Sequence, residues 1–374
     1  MSGTATELLD LVARWVHVIA GIMWVGNSLL FNWLDRSLEK GSSAEGSTPS
    51  LGEGRQERGV ALSEAKGSGL GHIWLLHSGG FYFVEKTLLA GEQLPNPLHW
   101  FKWQAYTTWL SGVALLLIVY YLGGRAVLAD PTVASLSHAQ AAYIGLGAIF
   151  AGWLLYESMN RIVAPRAPMF AAIVWMAGLI AISIALTRLL NGRAAFLHVG
   201  AMMGTIMAGN VFFTIVPSQR ELVASVEQGQ SAKLAELSGR AKRVSIHNNY
   251  FAFPVIALMV SNHFPSIYGS RSSWLMLLIL IAGGATVRYV LNVRFTEPLW
   301  RPALGFSIAV TILLLWGVLH VGGNAAPAVD ASANIPVTFA EARHVIDRRC
   351  GMVVDQNVGV NPYDPLILLQ DVLA

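Results

Sequence analysis

Charge is what this 374-residue chain has least of. Asp, Glu, Lys and Arg together make up 13% of it, against 54% hydrophobic residues. A soluble domain carries about 25% charged residues, so a water-facing surface of ordinary polarity is excluded for most of the length. Cysteine is nearly missing as well. Cys350 is the single one, which excludes an intramolecular disulfide and any cysteine metal cluster. The net charge of +3 and the lack of a basic run interleaved with aromatics argue against a nucleic-acid partner. There is no Gly-rich phosphate loop, no nucleophile elbow and no zinc-type His-Glu-x-x-His.

What the chain does have is long apolar runs. A membrane-crossing helix needs about 20 mostly apolar residues. Such runs occupy 12–33, 103–122, 139–160, 169–187, 196–216, 247–264, 274–292 and 304–322. The expected fold is all-α, a polytopic bundle of about eight transmembrane helices spanning 1–322. Glu7 and Asp10 stand where a signal peptide would be basic, so the first helix is expected to be retained. The loop 34–98 is too polar to cross, and its apolar piece from His72 to Leu89 reads as a surface or re-entrant element broken at Gly79-Gly80. Residues 323–336 read as a linker and 337–374 as a short soluble tail.

Orientation follows from the basic residues between spans. Loop 34–98 holds Arg36, Lys40, Arg55, Arg58, Lys66 and Lys86, and loop 217–246 holds Arg220, Lys233, Arg240, Lys242 and Arg243. Arg161, Arg166, Arg294 and Arg301 fall on the same side. The opposite side carries only Arg125, Arg188, Arg193 and Arg271. The bias predicts that both termini lie outside the cytoplasm.

That threading sorts the polar residues into two layers. His17, His138, His198, His263 and His320 fall near the outer helix ends. A histidine in a membrane helix is costly without a partner and defaults to a functional expectation. His17, Gly21, Trp24 and Ser28 share one helix face, and His198, Met202, Thr205 and Gly209 repeat the spacing. Imidazoles above small residues suit a haem b, with His17 and His198 as iron ligands and His263 and His320 as further candidates. The alternative is histidines hydrogen-bonded between helices or wetted by headgroups, the expectation for His138.

The inner layer holds Glu157, Asn160, Arg161, Gln219, Arg220, His247, Asn248, Asn249, Arg288 and Asn292, with His72, His77 and His99 nearby. One reading is a Glu–Arg pair joining two helices, or Arg288 snorkelling to the headgroups. The other is a pocket for a planar, polar, anionic molecule. Arg288, Asn292, Asn248 and Asn249 would supply donors and acceptors, and Glu157, His247 or His77 a base.

The stretches RWVHVIAGIMWVGNSLLFNWLD (14–35), HSGGFYFVEK (77–86), HWFKWQAYTTWLSG (99–112), FLHVGAMMGTIMAGNVFFTIVPSQ (196–219) and HNNYFAFPV (247–255) resemble the membrane-bound urate oxidase family of bacterial purine breakdown. The resemblance covers roughly residues 8–322. It implies a bacterial inner-membrane enzyme that converts urate to 5-hydroxyisourate and passes electrons to cytochrome c. It also implies a cytochrome c domain after the bundle, which TFAEARHVIDRRC (338–350) would open. Here the chain departs from the family. It reads Cys350-Gly-Met-Val-Val354, and the second Cys and the His of C-x-x-C-H are missing. The tail is therefore expected to be a remnant of that domain, without a covalent haem c. Two other readings compete: a b-type haem electron-transfer protein without urate chemistry, and a purine or urate transporter.

Overall fold

The computed structural model describes residues 3–44, 69–87, 94–122, 125–230 and 233–321. The linker expected at 323–336 and the tail at 337–374 lie outside the described residues.

The chain is an all-α polytopic bundle. Its helices are α1 (Gly3–Ala44), α2 (Trp103–Leu115), α3 (Arg125–Leu128), α4 (His138–Ser158), α5 (Pro168–Leu189), α6 (Gly192–Asn210), α7 (Val216–Glu227), α8 (Leu234–Ser261), α9 (Pro265–Tyr268), α10 (Ser273–Val293) and α11 (Trp300–Val321). Among the described residues, seven helices are long and apolar enough to cross a membrane. The eighth expected span is helical too: α2 runs into a π-helical segment, Leu116–Tyr121. Gln104, Thr107, Thr108 and Ser111 in its first half dilute its apolar character. Several helices extend past the expected limits. α1 and α8 continue well beyond the apolar runs, because a helix has no reason to end where the lipid does.

Local signals place the helix starts. Ser137 accepts from the Gln140 amide while its own N–H donates to the Gln140 side chain, a complete capping box for α4. The Asn191 side chain accepts from the Arg193 N–H and opens α6. Pro168 begins α5, where its missing N–H costs nothing.

The centre of the bundle is α6. Phe196, His198, Val199, Met202 and Ile206 on it are fully buried. Around it pack α4, α5 and α8, with α2 on one flank, and α10 packs against α8 and α5. Helix α1 lies outside α2, and α11 outside α10. Without a hydrophobic drive between helices in lipid, close approach depends on small residues. A side chain at Gly152 would collide with Met202. One at Gly284 would stand 2.7 Å from the backbone nitrogen of Pro254, so α10 touches α8 where Pro254 interrupts the α8 ladder.

The segment expected to be a surface or re-entrant element is a β-hairpin. Strand β1 (Gly69–His77) pairs antiparallel with β2 (Gly80–Thr87), His77 opposite Gly80. Ser78 and Gly79 both have positive φ, 50° and 77°, the mirror-image turn that matches strand twist. Aromatic and branched residues here favour strand over helix. The hairpin root is tied to α1: Lys86 Nζ donates to Asp35 at 2.6 Å, and Gly71 abuts the Leu38 carbonyl.

Candidate functional site

Two polar layers exist, and they differ in kind. At the inner end, Tyr156 of α4, Asn210 of α6, His247, Asn248 and Asn249 of α8, and Arg288 and Asn292 of α10 come together. Arg288 Nε donates to Asn249 Oδ1 at 2.6 Å, and Asn292 Nδ2 donates to the same oxygen at 3.0 Å. Asn210 Nδ2 donates to Tyr156 Oη and to Asn248 Oδ1, both at 2.9 Å. Asn248 Nδ2 donates to the Met207 carbonyl at 2.9 Å. Tyr156 Oη lies 2.7 Å from His247 Nδ1. Three consecutive α8 residues therefore bridge two networks.

Burial gives the cluster its energetic weight. Arg288 is 3% exposed, Asn292 4% and Asn210 1%. Among the described residues no carboxylate lies within ion-pair distance of Arg288. Its guanidinium instead sits 5.4 Å from the Phe253 ring centre, a cation–π contact worth about 0.5–2 kcal/mol. Breaking a buried ion pair by removing its counter-charge costs about 3–5 kcal/mol, so a cation held this way is poised for an anion. Two buried acceptors, Asn210 Oδ1 and Asn292 Oδ1, have no hydrogen-bond partner. Native structures hold few of these.

The expected site residues are brought in unevenly. Arg288, Asn292, Asn248, Asn249 and His247 all belong to the cluster. Glu157 does not: it pairs with Arg161 one turn along its own helix. His77 lies exposed at the hairpin turn. Tyr156 and Asn210 were missed. Asn210 had a signal, a lone amide inside MAGNVFF. Tyr156 had little, because an aromatic near a helix end reads as an interface anchor. Trp175 packs against the Tyr156 ring, with centroids 5.4 Å apart, and holds it in place.

The outer layer is a set of partnered histidines. His198 Nδ1 donates to the Ala194 carbonyl at 2.7 Å, and its Nε2 lies 2.9 Å from Tyr121 Oη. With Nδ1 protonated, Nε2 accepts the phenol proton, and the ring has no lone pair left for iron. A side chain at Gly145 would stand 2.6 Å from His198 Nε2, so the ring is walled in as well. His17 Nδ1 donates to the Thr108 carbonyl at 2.9 Å, which leaves its Nε2 as an acceptor. The two rings are anchored at different heights: His17 beside Thr108 and Ser111, midway along the helical rod 103–121, and His198 beside Tyr121 at its end. Ser111, beside His17, and Tyr121, beside His198, are about 15 Å apart along it. A single haem shared by His17 and His198 does not fit this arrangement. The small residues below His198 serve packing: Gly209 receives Trp153, and Thr205 Oγ1 accepts from Trp109 at 3.3 Å. His138 is partnered too, 2.9 Å from the Tyr121 carbonyl. His263 and His320 lie exposed at the outer ends of α8 and α11. No group of three metal-ligating side chains occurs among the described residues.

No curated protein matches the chain. No solved structure matches it either. The family described as urate oxidase N-terminal matches residues 3–319, which includes all of the bundle but the last two residues of α11 and every member of the inner cluster. The chain belongs to the urate oxidase N-terminal family.

Proposed function

We propose that this chain oxidises urate to 5-hydroxyisourate at the inner polar cluster, within the inner membrane of a bacterium, and delivers the electrons to a cytochrome c. The observation that carries the proposal is Arg288: a buried guanidinium, held by an amide and an aromatic ring, without a carboxylate in reach among the described residues. Membership of the urate oxidase N-terminal family supports urate as that anion. Urate is planar and monoanionic near neutral pH, and it alternates ring N–H donors with carbonyl acceptors. Arg288 supplies charge and a fork of donors. The free Oδ1 atoms of Asn292 and Asn210 supply acceptors for ring N–H groups. His247, half-buried beside Tyr156, faces the same ligand.

The balance is simple. Urate monoanion and one water give 5-hydroxyisourate, one proton and two electrons, and two oxidised cytochrome c molecules take one electron each. A positively charged, water-poor site holds the anion and orients the ring carbon for hydration. The basic residues at this end favour entry of urate from the cytoplasm, with both termini in the periplasm. No step is assigned to a haem on His17 and His198.

The test uses the full chain in liposomes with urate and oxidised cytochrome c. Urate absorbance should fall while two cytochromes are reduced per urate lost. Urate that enters the vesicles unchanged would replace the proposal with the transporter reading. Neither loss nor uptake would overturn both.

A further inference from the structure

The direction of every hydrogen bond in the Tyr156–His247 network is dictated from one end. The Met207 carbonyl can only accept, so the Asn248 atom 2.9 Å from it is the amide nitrogen. The other Asn248 atom is then the oxygen, and it must accept. Asn210 therefore presents its nitrogen to Asn248, 2.9 Å away. That same nitrogen lies 2.9 Å from Tyr156 Oη, and its second hydrogen goes there. The phenol oxygen accepts from Asn210, so the phenol hydrogen is free to donate to His247 Nδ1 at 2.7 Å. Reversing this last bond would leave the phenol hydrogen of Tyr156, a residue only 4% exposed, without an acceptor, and burying a donor unsatisfied costs about 1–3 kcal/mol.

We infer that the Met207–Asn248–Asn210–Tyr156 chain locks His247 as the neutral tautomer that carries its hydrogen on Nε2, so that His247 meets the ligand as a hydrogen-bond donor and not as a base. The four residues behind it are positioning groups. The Met207 carbonyl stands one turn before α6 widens into the π-helical segment Val211–Ile215 and also accepts from the Val211 N–H. Such widenings recur at functional sites. The tautomer follows from hydrogen bonds alone. The donor role rests on the urate reading and assigns Nε2–H to a urate carbonyl oxygen. No bond to hydrogen is made or broken at His247, and the proton released by hydration does not leave through it.

The experiment is nitrogen NMR on the full-length protein carrying 15N-histidine, with the His247 signals identified by their absence in His247→Gln. The expected signature is protonated Nε2 and bare Nδ1 in the wild type. In Tyr156→Phe that preference should be lost, while the His198 signals stay unchanged. A protonated Nδ1 in the wild type would overturn the lock. Turnover gives the second arm. His247→Gln keeps an N–H where Nε2 stood and should retain more of kcat/KM than His247→Leu. His247→Leu should lose about ten- to hundredfold in kcat/KM, the value of a hydrogen bond to a charged ligand. Equal losses in Gln and Leu would overturn the donor role. Absence of urate turnover in the wild type would defeat the urate reading and this role with it. The spectrum would still decide the tautomer.

Discussion

Arg288 Nε and Asn249 Oδ1 are 2.6 Å apart, and that amide oxygen takes the place a carboxylate would have in an ordinary buried ion pair. The difference between amide and carboxylate sets the function proposed for the cluster. Asn249→Asp would give Arg288 a permanent counter-charge. The variant should fold and melt at or above the wild-type temperature, because the buried cation is now paired. Its KM for urate should rise at least about tenfold, the equivalent of about 1.4 kcal/mol. Thermal melting and steady-state kinetics check the two halves separately. A variant that binds urate as tightly as wild type would show that Arg288 does not hold the anion.

Asn249→Ala makes the opposite change. It removes the acceptor shared by Arg288 and Asn292. A hydrogen bond to a charged group contributes about 1.5–3 kcal/mol, so the melting temperature should fall. Asn249→Ala and Asn249→Asp should thus move stability in opposite directions. Equal shifts would mean that the side chain matters only for packing.

Much of this bundle was legible because lipid imposes a simple rule. Twenty apolar residues in a row have few folds open to them, and the basic loops sort the polar residues to two ends. That sorting brought Arg288, Asn292 and the His247–Asn249 turn to one place without any contact being known. It could not say which partner each residue takes. Glu157 and Arg161 are one helical turn apart, and they satisfied each other. The evenly spaced stripe His198, Met202, Thr205 and Gly209 looked like a haem face. The same spacing is what close helix packing needs, and only the position of Trp153 against Gly209 tells the two apart. The hairpin was lost because its strands are apolar on both faces, which erases the two-residue alternation that marks a half-buried strand.

His198 provides a test of the outer layer. Its two nitrogens are engaged by Ala194 and Tyr121, so it acts as a core hydrogen-bonding residue. His198→Asn should lower the melting temperature, since it leaves the half-buried Tyr121 hydroxyl without its partner, at up to about 1–3 kcal/mol. The visible spectrum of the purified protein, with or without a haem band, should be the same before and after the substitution. Loss of a haem band in the variant would return His198 to the role of iron ligand.

The approach of α10 to α8 fixes the distance between Arg288 and Asn249, and Gly284 controls it. A Cβ there would stand 2.7 Å from the Pro254 nitrogen and 3.0 Å from the Phe253 carbonyl carbon. Both are backbone atoms and cannot swing away. Gly284→Ala should therefore push the helices apart at a cost of about 1–3 kcal/mol and raise KM for urate together with the loss of stability. Gly305→Ala, where nothing lies within 4 Å of the added carbon, should change neither. Melting curves and kinetics of the pair check this. Equal behaviour would remove Gly284 from the account of the site.

Sidedness is the last link in the proposal, because it decides from which side of the membrane urate would reach Arg288. The hairpin marks that end. It is anchored to the extended part of α1 through Lys86–Asp35 and Gly71–Leu38, beyond the apolar stretch of that helix. His77 at its turn is exposed. In a Cys350→Ser background, His77→Cys gives one reactive thiol on the hairpin. A membrane-impermeant maleimide should leave it unlabelled in intact cells and label it once the inner membrane is opened. A cysteine at Asn262, at the outer end of α8, should behave in the reverse way. If intact cells label the hairpin and protect residue 262, the bundle is inverted. The cluster would then face the periplasm and its urate would come from outside the cell.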